Sequence, residues 1–397
     1  MRPLRIGIAG AGPAGLSAAI AFARNGHEVT VLEKHTQLAP SGAGILIQPQ
    51  GLNCLRKLGV RPAFDVVSVP IHRLLGTSHR GWQLVDIDYS DEHARAVSRI
   101  ALSDVLHQAA CAAGVVLEFG CPVKALRAQL GKAHVLHERG EDPFDIFLIA
   151  DGATSALREQ VGMAGPATSY RWGALHGQFW VENWATNHVL QQRFHGTSEM
   201  MGLMPTELDG PRTRLSLYWS LRNDRYAAWR HAPLSDWLER MRTLWPDASP
   251  VLEQIKTHND VSHAIYRHTW PRTLAVPPFA TLGDAAHSMS PQLGMGTTLA
   301  IQDALALADA VHEHGPVGGL RAYVARRLRP SRGYQTLSRL LTPCFQARSG
   351  GLLRDLMFVA GRRLPGVEWA MKRSLSHRDE PFDTSSDLAA GAETSQP

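Results

Sequence analysis

The fold is decided by residues 4–33, which read LRIGIAGAGPAGLSAAIAFARNGHEVTVLE. The apolar run Leu4–Ala9 predicts a short buried strand, and the alanine-rich run Leu16–Asn25 predicts a helix. The next apolar run, Glu28–Leu32, predicts a second strand that ends at Glu33. The glycine-rich GAGPAG therefore lies between a strand and a helix, in a unit of the strand–helix–strand type.

The three glycines of GAGPAG have separate roles in such a unit. Gly10 allows a tight turn, Gly12 lets the backbone approach a pyrophosphate, and Gly15 lets the helix pack closely against the strand. Glu33 follows at the spacing, about 20 residues on, where a carboxylate accepts hydrogen bonds from ribose hydroxyls. Because an acid here disfavours a 2′-phosphate, the unit predicts FAD or NAD as its ligand.

A second glycine-rich connection lies in TLGDAAHSMSPQLGMGTTLAIQDALALADAV, residues 281–311. The apolar run Leu274–Leu282 predicts a strand, which ends in Gly283 and Asp284. A helix is predicted to begin near Met295–Thr298. The connection thus combines a carboxylate at a strand end with glycine amides at a helix N-terminus, which carries about half a positive charge. Such a terminus suits an anion or an electron-rich ring edge.

A third connection of this kind follows the predicted strand Phe144–Ala150. The strand ends in Asp151 and Gly152, and Ser155 is a suitable N-cap for the helix that follows. In open α/β sheets, ligands gather at the carboxyl ends of the strands. The strands that end at residues 9, 33, 150 and 282 are therefore predicted to converge on one elongated ligand.

Residues from about 165 to 270 alternate between polar and apolar side chains, which predicts a mainly antiparallel sheet with a helical cover. The predicted elements are strands Arg171–Val181, Val189–His195 and Arg214–Leu221, a turn over Thr206–Thr213, and helices Pro233–Leu244 and Ala248–Lys256. Most of the tryptophans in this segment are predicted to form its core. The alternative hypothesis is that one aromatic-lined face is turned towards the cofactor.

Composition bounds the class of protein. The 397 residues are 44% hydrophobic and 19% charged, which is typical of a soluble globular protein. The net charge of +5 is spread along the chain, and no basic block indicates nucleic-acid binding. The four cysteines form no metal pattern, and neither a signal peptide nor an apolar run of about 20 residues is present. We therefore expect a cytoplasmic protein, as a monomer or homodimer, without a metal or a transmembrane segment.

The C-terminal part is rich in arginine. Its periodicity predicts helices over Leu320–Leu341, Leu352–Leu364 and Val367–Leu375. A solvated basic surface is favoured over contact with acidic lipid, which is the alternative interpretation. Residues 376–397 have few apolar side chains and are predicted to be disordered.

With these residues in view, the chain resembles the class A flavoprotein monooxygenases, the p-hydroxybenzoate hydroxylase-like family. Four elements match in order: GAGPAG with Glu33, the GAGI…P segment at 42–49, DGATSALR at 151–158, and GDAAHSMSPQLGMG at 283–296. The resemblance implies an α/β fold with a Rossmann-like, glutathione reductase-type FAD-binding domain interrupted by a mainly antiparallel substrate domain. The implied division is 1–165 with 271–330 for FAD, 166–270 for substrate, 331–375 for C-terminal helices, and 376–397 for the disordered tail.

The resemblance also implies roles for individual residues. The ADP half of FAD is expected at Gly10, Gly12, Pro13, Ala14, Gly15, Glu33 and Lys34. Arg99 is expected to face the FAD phosphates or ribityl chain, Asp151 to support FAD and NAD(P)H binding, and Asp284, next to Gly283, to bind the ribityl hydroxyls. Pro291 is expected to border the oxygen-reacting side of the flavin. The ring's N1/O2 edge is expected at Leu293, Gly294, Met295 and Gly296.

The implied activity is hydroxylation of an aromatic or polyketide-like small molecule with NADPH or NADH and O2, through a flavin C4a-hydroperoxide. His176 and Tyr218 are pocket candidates, together with Trp172, Gln178 and Met204. Baeyer–Villiger reaction, N-oxidation and O2-independent reduction remain alternatives on the same fold. An NAD-dependent dehydrogenase and a non-catalytic FAD-binding scaffold are more remote.

Some positions depart from the family pattern beside the predicted ring. Met295 and Thr298 stand where the family usually has Gln and Asn, and Gln302 with Asp303 replaces Glu-Asp. Because threonine can cap a helix as asparagine does, FAD binding is expected to survive. For His287, a structural hydrogen-bonding role is favoured over that of a base.

Overall fold

The computed structural model describes residues 2–38, 42–89, 93–347 and 350–361. The helix predicted over Val367–Leu375 and the tail predicted over 376–397 lie outside these residues. Within the described ranges, no helix combines the length and the apolar character needed to cross a membrane.

The N-terminal part contains most of the parallel sheet. Its strands are β1 (Arg5–Ala9), β2 (Glu28–Glu33), β3 (Gly44–Ile47), β4 (Val69–Ile71), β5 (Arg73–Ser78), β6 (Gln83–Asp88), β7 (Ala94–Ser98), β8 (Val116–Phe119), β9 (Val123–Gln129), β10 (Lys132–His137), β11 (Gly140–Phe144) and β12 (Ile146–Ile149). Its helices are α1 (Pro13–Arg24), α2 (Pro49–Lys57), α3 (Arg61–Val66), α4 (Arg99–Ala112) and α5 (Leu157–Gln160). The unit predicted over residues 4–33 is confirmed.

The remainder contains the inserted sheet and the long C-terminal helix. Its strands are β13 (Ala167–Glu182), β14 (Val189–His195), β15 (Glu199–Asp209), β16 (Arg212–Arg222), β17 (Ser262–Thr269), β18 (Ala275–Val276) and β19 (Phe279–Thr281). Its helices are α6 (Tyr226–His231), α7 (Leu234–Leu244), α8 (Ser249–Leu252), α9 (Asp284–His287), α10 (Gly296–Phe345) and α11 (Gly351–Gly361).

A six-stranded sheet forms the base of the molecule, in the order β18-β19-β12-β1-β2-β8. The five strands from β19 to β8 are parallel to one another. The apolar composition of β1 fits this central position, since Ile6 and Ile8 are completely buried. The carboxyl ends of β1, β2, β12 and β19 therefore lie along one edge, as predicted, and their convergence on one elongated ligand stays a prediction.

The inserted sheet has seven strands in the order β17-β13-β16-β15-β14-β5-β6. All its neighbouring strands are antiparallel except β14 and β5, which confirms the mainly antiparallel character. The hairpin of β5 and β6 comes from well before residue 166. The predicted domain boundaries remain a prediction, and this sheet draws strands from both sides of the first boundary.

Two predicted strands are wrong in detail. The run Leu274–Leu282 is a tight hairpin of β18 and β19, joined through the cis peptide bond between Pro277 and Pro278, rather than one strand. The run Phe144–Ala150 is shared by β11 and β12, which belong to different sheets. Between them, Asp145 accepts a hydrogen bond from the backbone N–H of Arg5, at 2.9 Å, and so leaves the strand pattern.

Three further elements differ from their predicted bounds. The turn is confined to residues 210–211, because Asp209 already pairs with Arg212. The predicted helix over Ala248–Lys256 shortens to α8, flanked by a 3-10 turn. The predicted helix Leu320–Leu341 is part of α10, which is interrupted at Gly315, where φ is +73°. Such a backbone conformation favours glycine.

The two faces of the inserted sheet differ in composition. One face, with Leu175, Phe179, Val181 and Leu217, packs with α7 and α8 into a core that also holds Trp219, Trp229, Trp237 and Trp245. The prediction of a tryptophan core is thereby confirmed, and these four rings lie on the covered side of the sheet. The alternative hypothesis, an aromatic-lined face turned towards the cofactor, is wrong for these four rings.

Candidate functional site

The loop after β1 has the geometry of a tight turn with open space beside it. A β-carbon on Gly10, where φ is +103°, would lie 2.5 Å from the carbonyl oxygen of Ala150, and one on Gly15 would lie 1.9 Å from the carbonyl oxygen of Gly10. A β-carbon on Gly12 would meet no atom within 4 Å. Gly10 and Gly15 are therefore required by the fold itself, whereas Gly12 faces a space that a ligand can occupy.

The Glu33 carboxylate joins the end of β2 to this loop. Its Oε2 accepts a hydrogen bond from the Ala11 N–H at 2.7 Å, and its Oε1 accepts one from the His35 N–H at 2.9 Å. Two backbone donors thus hold the carboxylate beside the open space at Gly12. Pro13 is the first residue of α1, and Lys34 is exposed immediately after β2. The structure brings these sequence-predicted residues together.

The Asp-Gly connection after β12 is tied to the Gly-Asp connection after β19 by Arg158. Its Nη1 donates to the carbonyl oxygen of Ala285 at 2.9 Å, and its backbone N–H donates to Ser155 Oγ at 3.4 Å. Ser155 thus supports the first turn, although α5 begins only at Leu157. Asp151 Oδ1 is buried without a hydrogen-bond partner, and burial raises the pKa of this carboxyl. An unpartnered buried acceptor of this kind calls for a donor from a ligand.

Gly283 brings the second connection against the first. Its φ of +56° favours glycine, and a β-carbon on it would lie 2.8 Å from the β-carbon of Ala14. The start of α1 and the start of α9 therefore touch through small residues. Asp284, the first residue of α9, has an exposed side chain. Its carboxylate stands at the same edge of the sheet as Gly12 and Asp151.

A buried ionic cluster supports this connection from behind. His287 Nε2 lies 2.5 Å from Asp303 Oδ2, and Arg327 Nε donates to Asp303 Oδ1 at 2.9 Å. The same Oδ2 accepts the Gly283 N–H at 3.2 Å. Burial lowers the pKa of His287, but the charge of Asp303 and their hydrogen bond outweigh burial, so the pKa is raised. His287 is fully enclosed, which agrees with the expected structural role.

The loop that carries Pro291 is fastened to the far end of α10 and to the inserted sheet. Ser290 Oγ lies 2.6 Å from Ser338 Oγ, and Gln292 Nε2 donates to Gln346 Oε1 at 2.9 Å. Tyr170 of β13 also donates to Gln346. Pro291 itself is exposed at the surface of this anchored loop.

The glycine loop ends in the first turn of α10. Gly294 has φ of +61°, and the helix begins at Gly296 with Met295 as its N-cap. Leu293 and Met295 point into an apolar cluster with Met204 of the inserted sheet. Thr298 does not cap the helix, because it lies inside the first turn with its Oγ1 buried and unpartnered. The expectation that threonine replaces asparagine as a cap is wrong.

Arg99 and the segment before β3 approach the inserted sheet. Arg99 is the first residue of α4, and its Cδ lies 2.6 Å from the position of a β-carbon on Gly42. Gln178 Nε2 of β13 donates to the Gly42 carbonyl oxygen at 3.1 Å, and the Gly44 N–H donates to Ser216 Oγ at 2.8 Å. Side chains of the inserted sheet thus lie directly against Gly42 and Gly44, next to Arg99.

His176 and Tyr218, two of the five pocket candidates, are direct cross-strand partners. Tyr218 is in turn opposite Gly202, and Gln192 is opposite Gly202 on the next strand. Residues directly opposite in neighbouring strands share a face, so these four lie in one row. This row is on the face opposite the tryptophan core, because the strand neighbours Leu175 and Leu217 belong to that core.

Several residues of the site were missed in the sequence. Arg158, Arg327 and Gln346 act through contacts with residues more than 20 positions away. For these three residues, the sequence offered one signal, which is that Arg158 is the last residue of the segment DGATSALR. Gln192 could have been found from strand parity, had the register of β14 been known.

Cys121, His137 and Asp142 form a series of contacts away from the sheet edge that carries Gly12, Asp151 and Asp284. Cys121 Sγ lies 3.3 Å from His137 Nδ1, and His137 Nε2 lies 3.0 Å from Asp142 Oδ2. Cys121 is completely buried, and burial raises the pKa of its thiol. A nucleophilic cysteine requires a thiolate and access to substrate, so this arrangement is structural.

The residues at the sheet edge fit FAD. The open space at Gly12, the unpartnered Asp151 Oδ1 and the exposed Asp284 carboxylate follow one another along the carboxyl ends of β1, β12 and β19. The first suits a pyrophosphate, which needs close approach of the backbone, and the carboxyl groups suit hydroxyl donors. Because Glu33 at the end of β2 lies on the other side of Gly12, an elongated ligand with phosphates in its middle and hydroxyls on both sides matches this order.

Comparison with known proteins agrees with this geometry. The family described as FAD binding domain matches residues 4–335. An FAD-dependent urate hydroxylase of Klebsiella oxytoca is 27% identical over 337 residues, covering 81% of this chain and 85% of the relative. A 2-heptyl-3-hydroxy-4(1H)-quinolone synthase of Mycobacteroides abscessus is 27% identical over 318 residues, covering 78% and 82%.

Solved structures share the fold. HpxO of Klebsiella pneumoniae, in a complex with FAD, has a TM-score of 0.78 at 19% identity, covering 94% of this chain and 98% of that one. A variant of 2-methyl-3-hydroxypyridine-5-carboxylic acid oxygenase has a TM-score of 0.75 at 22% identity, covering 91% and 99%. The chain belongs to the FAD-binding domain family of the class A flavoprotein monooxygenases.

Proposed function

We propose that this protein is an FAD-dependent monooxygenase that uses NADPH or NADH and O2 to hydroxylate an aromatic small molecule. The proposal rests on the contact between two surfaces, the edge of the parallel sheet and one face of the inserted sheet. The edge formed by Gly12, Asp151 and Asp284 fits FAD, and the polar face of the inserted sheet lies directly against the loops at one end of that edge. A cofactor and a second molecule can therefore be held side by side.

The roles of the chain's own residues follow from their positions. Gly12 and the first amides of α1 would receive the pyrophosphate. Glu33 would accept a ribose hydroxyl on a lone pair that its two backbone donors leave free. Arg99 would face the phosphates or the ribityl chain, and Asp284 would bind ribityl hydroxyls. The amides from Leu293 to Gly296 would stabilise negative charge at the N1/O2 edge, since they open a helix.

FAD would supply the redox chemistry that side chains lack, by accepting a hydride from NAD(P)H and activating O2. The balanced reaction takes substrate, O2, NAD(P)H and a proton to hydroxylated substrate, NAD(P)+ and water. The protein would orient the substrate, exclude water and hold Pro291 over the reacting side. The hydrogen bonds of Ser290 and Gln292 to α10 keep that loop in place.

The cofactor is tested first. Purified protein is expected to carry FAD, and Asp284→Ala is expected to bind FAD roughly tenfold or more weakly, since a hydrogen bond to a charged group is worth about 1.5–3 kcal/mol. Fluorescence titration of the apoprotein measures the dissociation constant. Asp236→Ala, which removes an exposed acid from α7, is the matched control and is expected to bind FAD normally. A wild-type protein that binds no flavin overturns the proposed function.

The reaction is tested with an aromatic panel. A substrate is expected to stimulate NADPH or NADH consumption, and mass spectrometry with labelled O2 is expected to find one labelled oxygen atom in a ring hydroxyl. Label in a lactone or on nitrogen identifies Baeyer–Villiger reaction or N-oxidation instead. Consumption without O2 identifies a reductase, and FAD binding with no nicotinamide oxidation under any condition identifies a scaffold.

A further inference from the structure

The face of the inserted sheet that meets Gly42, Gly44 and the loop at Leu293–Met295 includes two rows of directly opposed residues. The first row contains His176, Tyr218, Gly202 and Gln192, and the second contains Gln178, Ser216 and Met204. A β-carbon on Gly44 would lie 2.7 Å from Met204 Cε, which places the second row against the start of β3. We call this surface the ligand face.

Tyr218 is a directed hydrogen-bond donor on the ligand face. Gln192 Nε2 donates to Tyr218 Oη at 2.6 Å. That bond uses a lone pair of the phenol oxygen and leaves the hydroxyl hydrogen to donate elsewhere. Burial raises the pKa of Tyr218, so the hydroxyl stays protonated over the ordinary pH range. Gly202 makes room for the ring, since a β-carbon there would lie 1.9 Å from Tyr218 Cζ.

His176 stands opposite Tyr218 as an uncharged imidazole. Burial lowers its pKa, and the positive charges of Arg99 and His263 lower it further. A neutral imidazole offers one donor and one acceptor nitrogen. The pair therefore presents a phenol donor beside an imidazole nitrogen that can accept a hydrogen bond from an N–H or O–H.

Neither row contains a side chain that is charged at neutral pH, and the two arginines of the same strand parity beyond the rows, Arg214 and Arg222, are paired with Glu207 and Asp224. An ionised carboxylate placed against this face would lose its hydration without gaining a cation from either row. The charge of Arg99 lowers the pKa of His176. It also lowers the pKa of Tyr266, although burial of that side chain outweighs it and raises the pKa to about 12. Arg99 is assigned above to the anionic part of the cofactor, which would neutralise it.

We infer that the ligand face selects a neutral aromatic substrate carrying a ring carbonyl beside an N–H or O–H, and discriminates against aromatic carboxylates. The carbonyl accepts from Tyr218, and the N–H or O–H donates to His176. Gln192 is a positioning residue that fixes the direction of the Tyr218 hydroxyl. The inference rests on the function proposed above, because it takes the ligand face to be the substrate side of the flavin.

The test is a binding measurement that needs bound FAD but no turnover. 2-Hydroxyquinoline, whose lactam form carries a ring carbonyl beside an N–H, and 2-hydroxyquinoline-4-carboxylate share one ring system and differ by a single carboxylate. Each is titrated into the holoprotein in the absence of NAD(P)H, and the change in flavin absorbance gives Kd. We expect the neutral compound to bind about tenfold or more tightly than the carboxylate.

Variants then assign the selectivity to the face. Tyr218→Phe is expected to raise Kd for the neutral compound about 3- to 10-fold, the effect of one lost hydrogen bond. Tyr226→Phe is the matched control, because Tyr226 packs with the tryptophan core on the opposite side, and it is expected to leave Kd unchanged. His176→Arg supplies a cation and is expected to invert the preference in favour of the carboxylate.

Each other outcome overturns the inference. Equal or tighter binding of the carboxylate to the wild type would show that Arg99, or another cation, serves the substrate. An unchanged Kd in Tyr218→Phe with full FAD content would show that the row does not contact the ligand. A holoprotein that responds to neither compound up to their solubility also contradicts it. Failure to bind FAD is distinct, since it overturns the proposed function itself.

Discussion

Two glycine-bearing loops lie at the sheet edge that is proposed to bind FAD, and they are held in place in different ways. The loop at residues 10–15 is fixed within its own unit, because Gly15 packs on Gly10 and Glu33 receives the Ala11 N–H. The loop at 283–296 is fixed from outside. Its anchors come from Asp303 and Arg327 of α10, from Ser338 and Gln346 further along, and from Tyr170 of the inserted sheet.

This difference fits the roles proposed above for the two loops. A phosphate site needs backbone amides in one fixed arrangement, and a short unit supplies that by itself. A loop at a reacting ring must also be placed relative to the substrate, and the proposed substrate surface belongs to another sheet. The contacts of Tyr170 and Gln346 join the two, so the position of Pro291 depends on the inserted sheet.

The largest expected effect tests the outside anchoring. Asp303→Ala leaves His287 and Arg327 without their shared carboxylate in a fully buried place. We expect the free energy of unfolding to fall by about 3–5 kcal/mol, as when one partner of a buried pair is removed. Urea unfolding of wild type and variant measures it. Asp236→Ala, at an exposed position, is expected to change it little, and a comparably stable Asp303→Ala protein would contradict the anchoring.

The next prediction separates fold from ligand within the first loop. Gly15→Ala would place a β-carbon 1.9 Å from the Gly10 carbonyl oxygen, whereas Gly12→Ala would meet nothing within 4 Å. We expect Gly15→Ala to lower the free energy of unfolding by about 1–3 kcal/mol, as for overpacking, and Gly12→Ala to leave it nearly unchanged while weakening FAD binding. Thermal unfolding of the apoproteins and FAD titration give the two quantities. Equal stabilities of the two variants would refute this division.

The buried cluster also predicts a pH dependence. Burial raises the pKa of Asp303, but the charges of His287 and Arg327 outweigh burial and lower it; the pKa of His287 is raised. Asp303 therefore stabilises the fold above its unfolded pKa of about 3.9, and this contribution is lost as the pH falls through its lowered folded value. His287 contributes fully below about pH 6.5, and its contribution is lost as the pH rises through its raised folded value.

Stability from this pair is thus expected to be greatest between about pH 4 and pH 6.5. Urea unfolding from pH 4 to pH 9 measures it in the wild type and in His287→Gln. The variant is expected to lose the decline on the alkaline side. If both proteins decline in parallel above pH 6.5, the cluster is not the origin of the dependence.

The smallest expected effect concerns the contact between the inserted sheet and the Pro291 loop. Tyr170→Phe removes hydrogen bonds to Thr342 and Gln346 while keeping the ring. We expect about 1 kcal/mol of lost stability, the usual net worth of a hydrogen bond, together with a shifted flavin spectrum. Tyr226→Phe serves as control. An unchanged spectrum would show that the loop holds its position without the sheet.

The elements that sequence predicted best are those with local causes. The strand–helix–strand unit of residues 4–33 has its signal within 30 residues, and β13, β14 and β16 have clear alternation. The apolar residues that flank Pro277 and Pro278 on both sides predict one strand where the structure has the hairpin of β18 and β19. Alternation along a strand shows which side chains share a face of the inserted sheet, but it does not show which face the helices cover. The tryptophans therefore cannot be assigned to the covered face from sequence alone.

By itself, the sequence determined the FAD-type unit, the order of the glycine and aspartate connections, and the family. These depend on residue types at short spacings, where backbone conformation and steric limits act locally. Only the tertiary structure decided that Asp303 and Arg327 support the loop at 283–296, and that Tyr218, Gln192 and His176 share one face. Those contacts join distant segments, and no local pattern fixes a register or the direction in which a buried side chain points.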